Sequence, residues 1–214
     1  MSETHSSESE NPIEVVASPE SLIDSIRKVG TLAYPHIQPY KDASISIVSM
    51  DPGLLSPMAL YILEGGLDKQ RKLIEFFLKN GIDPFKLDGI IKYTFKGETY
   101  FMVPPIVEVH QEEDGNSYSI IIDGLHRLTI AREMGRTCNV VFIDGASLPP
   151  YALPVRWEDV NLWENVSEFS KKKRWRDLSK VKLPDGMSID RDDIDPRYLL
   201  YRDFSSLGSN GIRK

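Results

Sequence analysis

The chain has 214 residues, 41% of them hydrophobic and 27% charged, with a formal net charge of −6. That length and apolar content suit one globular domain with its own core, and the negative balance argues against a protein that coats nucleic acid through many Lys and Arg contacts to phosphate. No apolar run reaches the roughly 20 residues of a membrane-spanning helix, and the N-terminus lacks the basic and apolar regions of a signal peptide, so no membrane association and a cytoplasmic location are expected.

Residues 1–11 are rich in Ser and Glu and nearly devoid of apolar side chains, so burial cannot offset the entropy of ordering them; a disordered tail is expected, extending to residue 17. Ser18-Pro19-Glu20 then supplies a helix cap, a proline at the first helical position and an acid near the positive helix end. Leu22, Ile23, Ile26 and Val29 follow at helical spacing before Gly30. Pro35 and Pro39 mark a loop, and residues 43–50 alternate as a strand ended by Asp51-Pro52-Gly53. Ser56-Pro57 predicts a short helix to Leu63, broken by Gly65-Gly66. Residues 67–80 predict a clearer helix with Leu67, Leu73, Ile74, Phe77 and Leu78 on its apolar side, terminated by Gly81. Residues 90–102, with Lys96-Gly97 between alternating Tyr93, Phe95, Thr99 and Phe101, read as a hairpin placed to wall a substrate pocket.

Residues 103–109 and 118–122 read as strands joined by a polar turn containing Gly115. The second runs through Asp123-Gly124 into a helix that opens with Leu125, His126 and Arg127, a junction suited to phosphate. The first N–H groups of a helix have no partner within it, the helix dipole makes that end positive, and glycine lets a ligand approach the backbone. Arg127 brings a planar fork of donors, and His126 brings a further donor or a proton-transfer group. The structural alternative is that Arg127 pairs with a surface carboxylate and His126 caps or packs. Asp123 is the nearest carboxylate for general-base work or magnesium binding; otherwise it serves an Asx-type turn or cap.

Along the same helix Leu125, Leu128, Ala131 and Met134, with Ile130, form the side expected against the sheet. Gly135 stops it, and Arg132 and Arg136 suit its negative end. Thr129 either faces the anion site or caps. Cys138, the only cysteine, lies in the apolar strand 137–143 as an inert core residue, precludes an internal disulfide and fits a reducing compartment. Beyond Pro149, Pro150 and Pro154, residues 158–176 predict one or two helices with Trp157, Trp163, Phe169 and Trp175 as anchors. The basic run of residues 171–182 is the one stretch able to touch a polyanion, with Trp175 available for stacking. The acidic cluster at Asp190, Asp192, Asp193 and Asp195 lacks the glycine and terminal glutamate of a calcium loop. The expected partition is a tail over 1–17, a domain over 18–156, and a helical and irregular C-terminal extension over 157–214.

Val103-Pro104-Pro105-Ile106, followed by Tyr118-Ser119 and then Asp123-Gly124-Leu125-His126-Arg127, resembles the ParB/sulfiredoxin superfamily over about residues 103–143. Sulfiredoxins carry Val-Pro-Pro-Ile and Gly-Cys-His-Arg at the matching places, ParB-type proteins carry Gly-Glu-Arg-Arg, and the related free-serine kinases carry an Asp-Gly-x-His-Arg loop. The resemblance implies an α/β fold, a single domain with a small mixed sheet flanked by helices, and nucleotide phosphates bound at this loop. It also implies that the preceding helix supplies cations, here Lys69 and Lys72. Leu125 stands where sulfiredoxins place their catalytic cysteine, which removes sulfiredoxin chemistry. Glu164-Asn165 matches only the first half of the ParB Glu-Asn-x-Gln-Arg motif.

Two functional classes follow. One is a small-molecule phosphotransferase using ATP or ADP, with CTP as a further candidate, and magnesium. Its phosphates rest on Gly124, Leu125, His126 and Arg127, and a carboxylate such as Asp123, or else Asp51, Glu108 or Glu164, activates an acceptor hydroxyl. The other is a non-catalytic, nucleotide-responsive module of ParB type that engages DNA or protein through residues 171–182.

Overall fold

The computed structural model describes residues 12–164, 173–181 and 197–207. In chain order its elements are β1 (Ile13–Ala17), α1 (Pro19–Arg27), β2 (Ser44–Met50), β3 (Tyr61–Leu63), α2 (Glu64–Lys79), β4 (Ile90–Phe95), β5 (Glu98–Met102), β6 (Ile106–Gln111), β7 (Ser117–Asp123), α3 (Leu125–Glu133), β8 (Cys138–Asp144), β9 (Asn161–Trp163) and α4 (Arg197–Leu200). Among the described residues, no helix is long and apolar enough to cross a membrane.

A four-stranded mixed sheet, in the order β2-β8-β6-β7, carries the domain. β8 runs antiparallel to β2 and parallel to β6, and β6 and β7 form an antiparallel hairpin. The parallel pair β6–β8 needs a crossover, and β7 followed by α3 supplies it. Because side chains alternate across a strand, each strand feeds both faces. Val107, Ile121, Cys138 and Val140 pack with Leu67 and Ile74 of α2 and with Leu128, Ile130 and Ala131 of α3. Ile106, Val141 and Ile143 pack on the opposite side with Leu22 and Ile26 of α1 and with Phe204 and Leu207. This is the expected α/β domain with a small mixed sheet flanked by helices.

α1 forms where its signals lie: the Ser18 hydroxyl accepts from the Ser21 N–H at 3.3 Å, and Pro19 occupies the first turn. Elsewhere the expectations are corrected. Residues 56–63 form no helix but end in β3, and Gly65-Gly66 does not break a helix; it lies in the first turn of α2. Leu78 and Met134, assigned to buried faces, are 45% and 50% exposed, and each lies at the C-terminal end of its helix. Residues 13–17 do not belong to a disordered tail. They form β1, which adds to the β4–β5 hairpin in the order β1-β4-β5, with Ile13 buried against Phe77, Ile91 and Tyr93. The hairpin turns on Lys96 and Gly97, with φ of 55° and 83°, the positive values that a two-residue turn matching strand twist demands.

The extension 157–214 is described in part. Residues 157–159 make a 3-10 turn rather than the start of a helix, β9 pairs in parallel with β3, and Tyr61 stacks on Trp163 at 5.3 Å. Phe169 and the acidic cluster at 190–195 lie outside the described residues. From α4 onward the chain returns across the sheet, burying Leu199, Leu200, Phe204 and Leu207. It also buries Arg202, whose Nε donates to Glu108 Oε1 at 3.0 Å and whose Nη2 donates to Glu108 Oε2 at 3.1 Å. The Tyr40 hydroxyl donates to Glu108 as well, and Arg202 further satisfies the carbonyls of Leu200 at 2.9 Å and Leu148 at 2.7 Å. Burial works against the charge on Arg202, but Glu108 and Tyr40 outweigh it and hold the guanidinium above its ordinary pKa.

Cys138 is buried in β8, and burial pushes its thiol up to about 11. With roughly a hundredfold less thiolate than an ordinary cysteine, and shielded from reagent, it is expected to resist a disulfide-exchange probe at pH 8 in the native protein and to react fully in urea. Rapid native labelling would contradict the packing of α3 on β8.

Candidate active site at the junction of β7 and α3

β7 ends at Asp123, the chain turns at Gly124 with φ 86° and ψ 17°, and α3 begins. A side chain at Gly124 would place its Cβ 2.7 Å from Pro105 Cβ and 2.9 Å from Pro105 Cα, so both the left-handed backbone and the approach of the Pro104-Pro105 segment require glycine. The α3 ladder opens with Leu128 N–H donating to the Gly124 carbonyl at 3.1 Å. The first-turn N–H groups at Leu125, His126 and Arg127 therefore lie outside that ladder, at the positive end of the helix.

His126 is half-buried and lies against the first turn of α2: a Cβ on Gly66 would come within 2.5 Å of His126 Nε2. The two helix starts thus meet because position 66 has no side chain. Beside them opens a cavity of about 470 Å³, lined by Gly66, Lys69 and Gln70 of α2, Tyr93 and Tyr100 of the hairpin, and His126. Lys69 therefore joins His126 at this cavity, whereas Lys72, one turn-face away and exposed, is not among the lining residues.

Arg127 takes another direction. It is 8% exposed, its Nη1 donates to the Val103 carbonyl at 2.9 Å, and its Nε is buried without a hydrogen-bond partner. It makes no ion pair among the described residues, so the surface-carboxylate alternative fails, and it is not in the cavity lining. Burial pulls its pKa below the ordinary value, opposed by Cys138, Asp123 and Tyr93. Arg127 braces α3 to the segment entering β6 and places a positive charge beneath the junction.

Asp123 is half-buried and sits opposite Ile106, at an irregularity in the β6–β7 ladder. Leu125 packs its side chain on the core and offers the junction only its backbone. Thr129 Oγ1 donates back to the Leu125 carbonyl at 2.8 Å, which turns it into the helix. Arg132 lies 5.1 Å over the Trp157 ring, and Arg136 pairs with Asp83 while lying 4.7 Å over Phe85, so packing accounts for both.

The other carboxylates considered as a base are placed elsewhere. Asp51 Oδ1 accepts from Gly53 N–H at 2.8 Å, Glu108 is sealed with Arg202, and Glu164 is exposed beyond β9. In the basic run, residues 171, 172 and 182 lie outside the described residues. Arg174 reaches Asp159 at 3.7 Å, Arg176 donates to both oxygens of Glu112 at 2.9 and 2.6 Å, and Lys180 lies 3.1 Å from Glu113. Lys173 sits 4.0 Å over the Tyr151 ring, and Trp175 packs 6.0 Å from that same ring. In the described part of the run Arg174, Arg176 and Lys180 thus each meet a carboxylate, and Lys173 lies on an aromatic ring. No three His, Cys, Asp or Glu side chains gather as a metal centre among the described residues, so a metal at Asp123 would draw its other ligands from water or a bound phosphate.

These features define an α/β domain whose strand-to-helix junction, capped by a left-handed glycine, lies beside a cavity lined by Lys69 and His126 and, from the hairpin, by three aromatic rings with Lys96 and Glu98. Residues 21–166 match the family model of the ParB CE domain, and the chain belongs to that family. No curated protein and no solved structure matches it. The matched segment runs from α1 to just past β9 and leaves out the returning segment with Arg202.

Proposed function

We propose that the protein binds a nucleotide with its phosphates on the first turn of α3, at Gly124, Leu125, His126 and Arg127, and transfers a phosphoryl group to a hydroxyl of a small-molecule acceptor. The observation that carries this reading is that His126, in the first turn of α3, and Lys69 of α2 line one cavity of nucleotide size. The backbone N–H groups and His126 would hold the phosphates, with Lys69 across from them and Lys72 contributing only through its field. Arg127 adds positive potential from below the junction rather than a surface fork. The nucleotide is ATP or ADP, with CTP an alternative of the same phosphate chemistry. Magnesium, when bound, would offset phosphate charge, and Asp123, at the end of β7 and not itself in the cavity lining, would hold it or take the acceptor proton.

Membership in a ParB-type family supports a second reading, a nucleotide-responsive module without turnover that engages DNA or protein. Calorimetric titration with ATP, ADP and CTP in magnesium tests the shared part. Lys69→Ala and His126→Ala are each expected to weaken binding about tenfold, the scale of a charge-assisted hydrogen bond; unchanged affinity in both would remove the phosphates from this junction. Asp123→Asn is expected to keep binding and lose nucleotide consumption in the presence of a mixed acceptor pool. Binding without consumption in the unmodified protein selects the second reading.

A further inference from the structure

We infer that the β4–β5 hairpin is the nucleobase side of this cavity, so that the ligand is a nucleoside phosphate and the aromatic wall, not the phosphate seat alone, supplies much of its affinity. The inference rests on the nucleotide reading above and adds which part of the ligand meets which wall.

The two walls differ in kind. From α2 the lining residues are Gly66, Lys69, Gln70 and Leu73, one face of the helix at three- and four-residue spacing; from the hairpin they are Tyr93, Phe95, Lys96, Glu98 and Tyr100. Phosphate has no use for three aromatic rings, whereas a flat base has: every base presents a π-face, and stacking on Tyr or Phe tolerates any of them. The rings are already fixed by packing. Phe95 abuts Phe76 at 5.3 Å, Tyr93 abuts Phe77 at 5.0 Å, and Tyr100 stacks beside Tyr93 at 5.5 Å. A wall held this way loses little freedom when a ring settles on it.

A second observation points to the same occupant. The Gln70 side-chain Nε2 is shielded from solvent and has no hydrogen-bond partner, although Gln70 lines the cavity. A shielded amide donor is normally satisfied, and the ring nitrogens and carbonyl oxygens of a base are acceptors of the right kind. Glu98 already accepts from the Tyr100 hydroxyl and Lys96 lies 5.6 Å over the Phe95 ring, which leaves Lys69 and His126, on the other side of the cavity, for the anionic part of the ligand.

The test compares two ligands by calorimetry: ATP and inorganic tripolyphosphate, which share the phosphates but not the base, each against the unmodified protein and against Tyr100→Leu and Gln70→Leu. Thermal melts of both variants establish that the fold is retained, and Gln70→Leu, on α2, does not depend on the hairpin's own stability. ATP is expected to bind at least about tenfold more tightly than tripolyphosphate, and each variant to lose about tenfold for ATP with tripolyphosphate unchanged. Equal affinity for the two ligands in the unmodified protein, or parallel losses for both in the variants, overturns the inference while leaving the phosphate seat standing. Binding of neither ligand overturns the nucleotide reading itself, and this inference with it.

Discussion

Arg202→Met is expected to lower the free energy of unfolding by about 3–5 kcal/mol, because it leaves the Glu108 carboxylate buried without its partner. Both side chains are 1% exposed, so water cannot replace the lost guanidinium, and the carbonyls of Leu148 and Leu200 lose their donors as well. Urea denaturation of Arg202→Met, Glu108→Leu and the double variant resolves the pair. The double variant should recover much of the loss, since two apolar residues leave no orphan charge. A cost below about 1 kcal/mol for Arg202→Met, the scale of an exposed ion pair, would show that the segment after α4 is not seated as described.

Gly124→Ala is expected to cost at least about 2 kcal/mol, from a strained left-handed backbone and from collision with Pro105. Gly115→Ala separates the two causes. Gly115 has φ 80°, almost the same backbone, but its added Cβ would meet nothing within 4 Å, so it should lose only about 1–2 kcal/mol. Equal losses at the two positions in urea titrations would deny the contact between the Pro104-Pro105 segment and the start of α3. Gly124→Ala should also impair nucleotide binding beyond its effect on stability, because displacing the junction moves the N–H groups proposed to hold phosphate.

What could be read from the sequence was local. Ser18-Pro19-Glu20 announces α1, Lys96-Gly97 announces the hairpin, and Asp123-Gly124 announces the strand-to-helix junction, because each is a short signal whose physics acts within a few residues. What could not be read was set by distant partners. β1 has one well-buried side chain, Ile13, and is a strand because β4 offers it an edge. β3 and β9 are three residues each and pair across 100 positions of sequence, Tyr61 with Asn161. Gly65-Gly66 looks like punctuation until His126 arrives to occupy the space above Gly66. The same holds at the candidate site. The α3 side of the cavity followed from the junction, whereas Arg127 turned inward to Val103, a direction that depends on where the segment before β6 passes. Gln70 carried no signal at all until the hairpin closed over it.

The Glu108–Arg202 pair spans 94 residues, and Arg202 is the later of the two to leave the ribosome. While the chain is being made, β6 therefore emerges with an acid on the inner face of the sheet and nothing to neutralise it. Until residues 197–207 have been made, Glu108 has no cation to meet, and burying it is costly. Sealing of this face therefore waits until residue 202 has been made, and a chain cut before Arg202 would leave Glu108 without its cation.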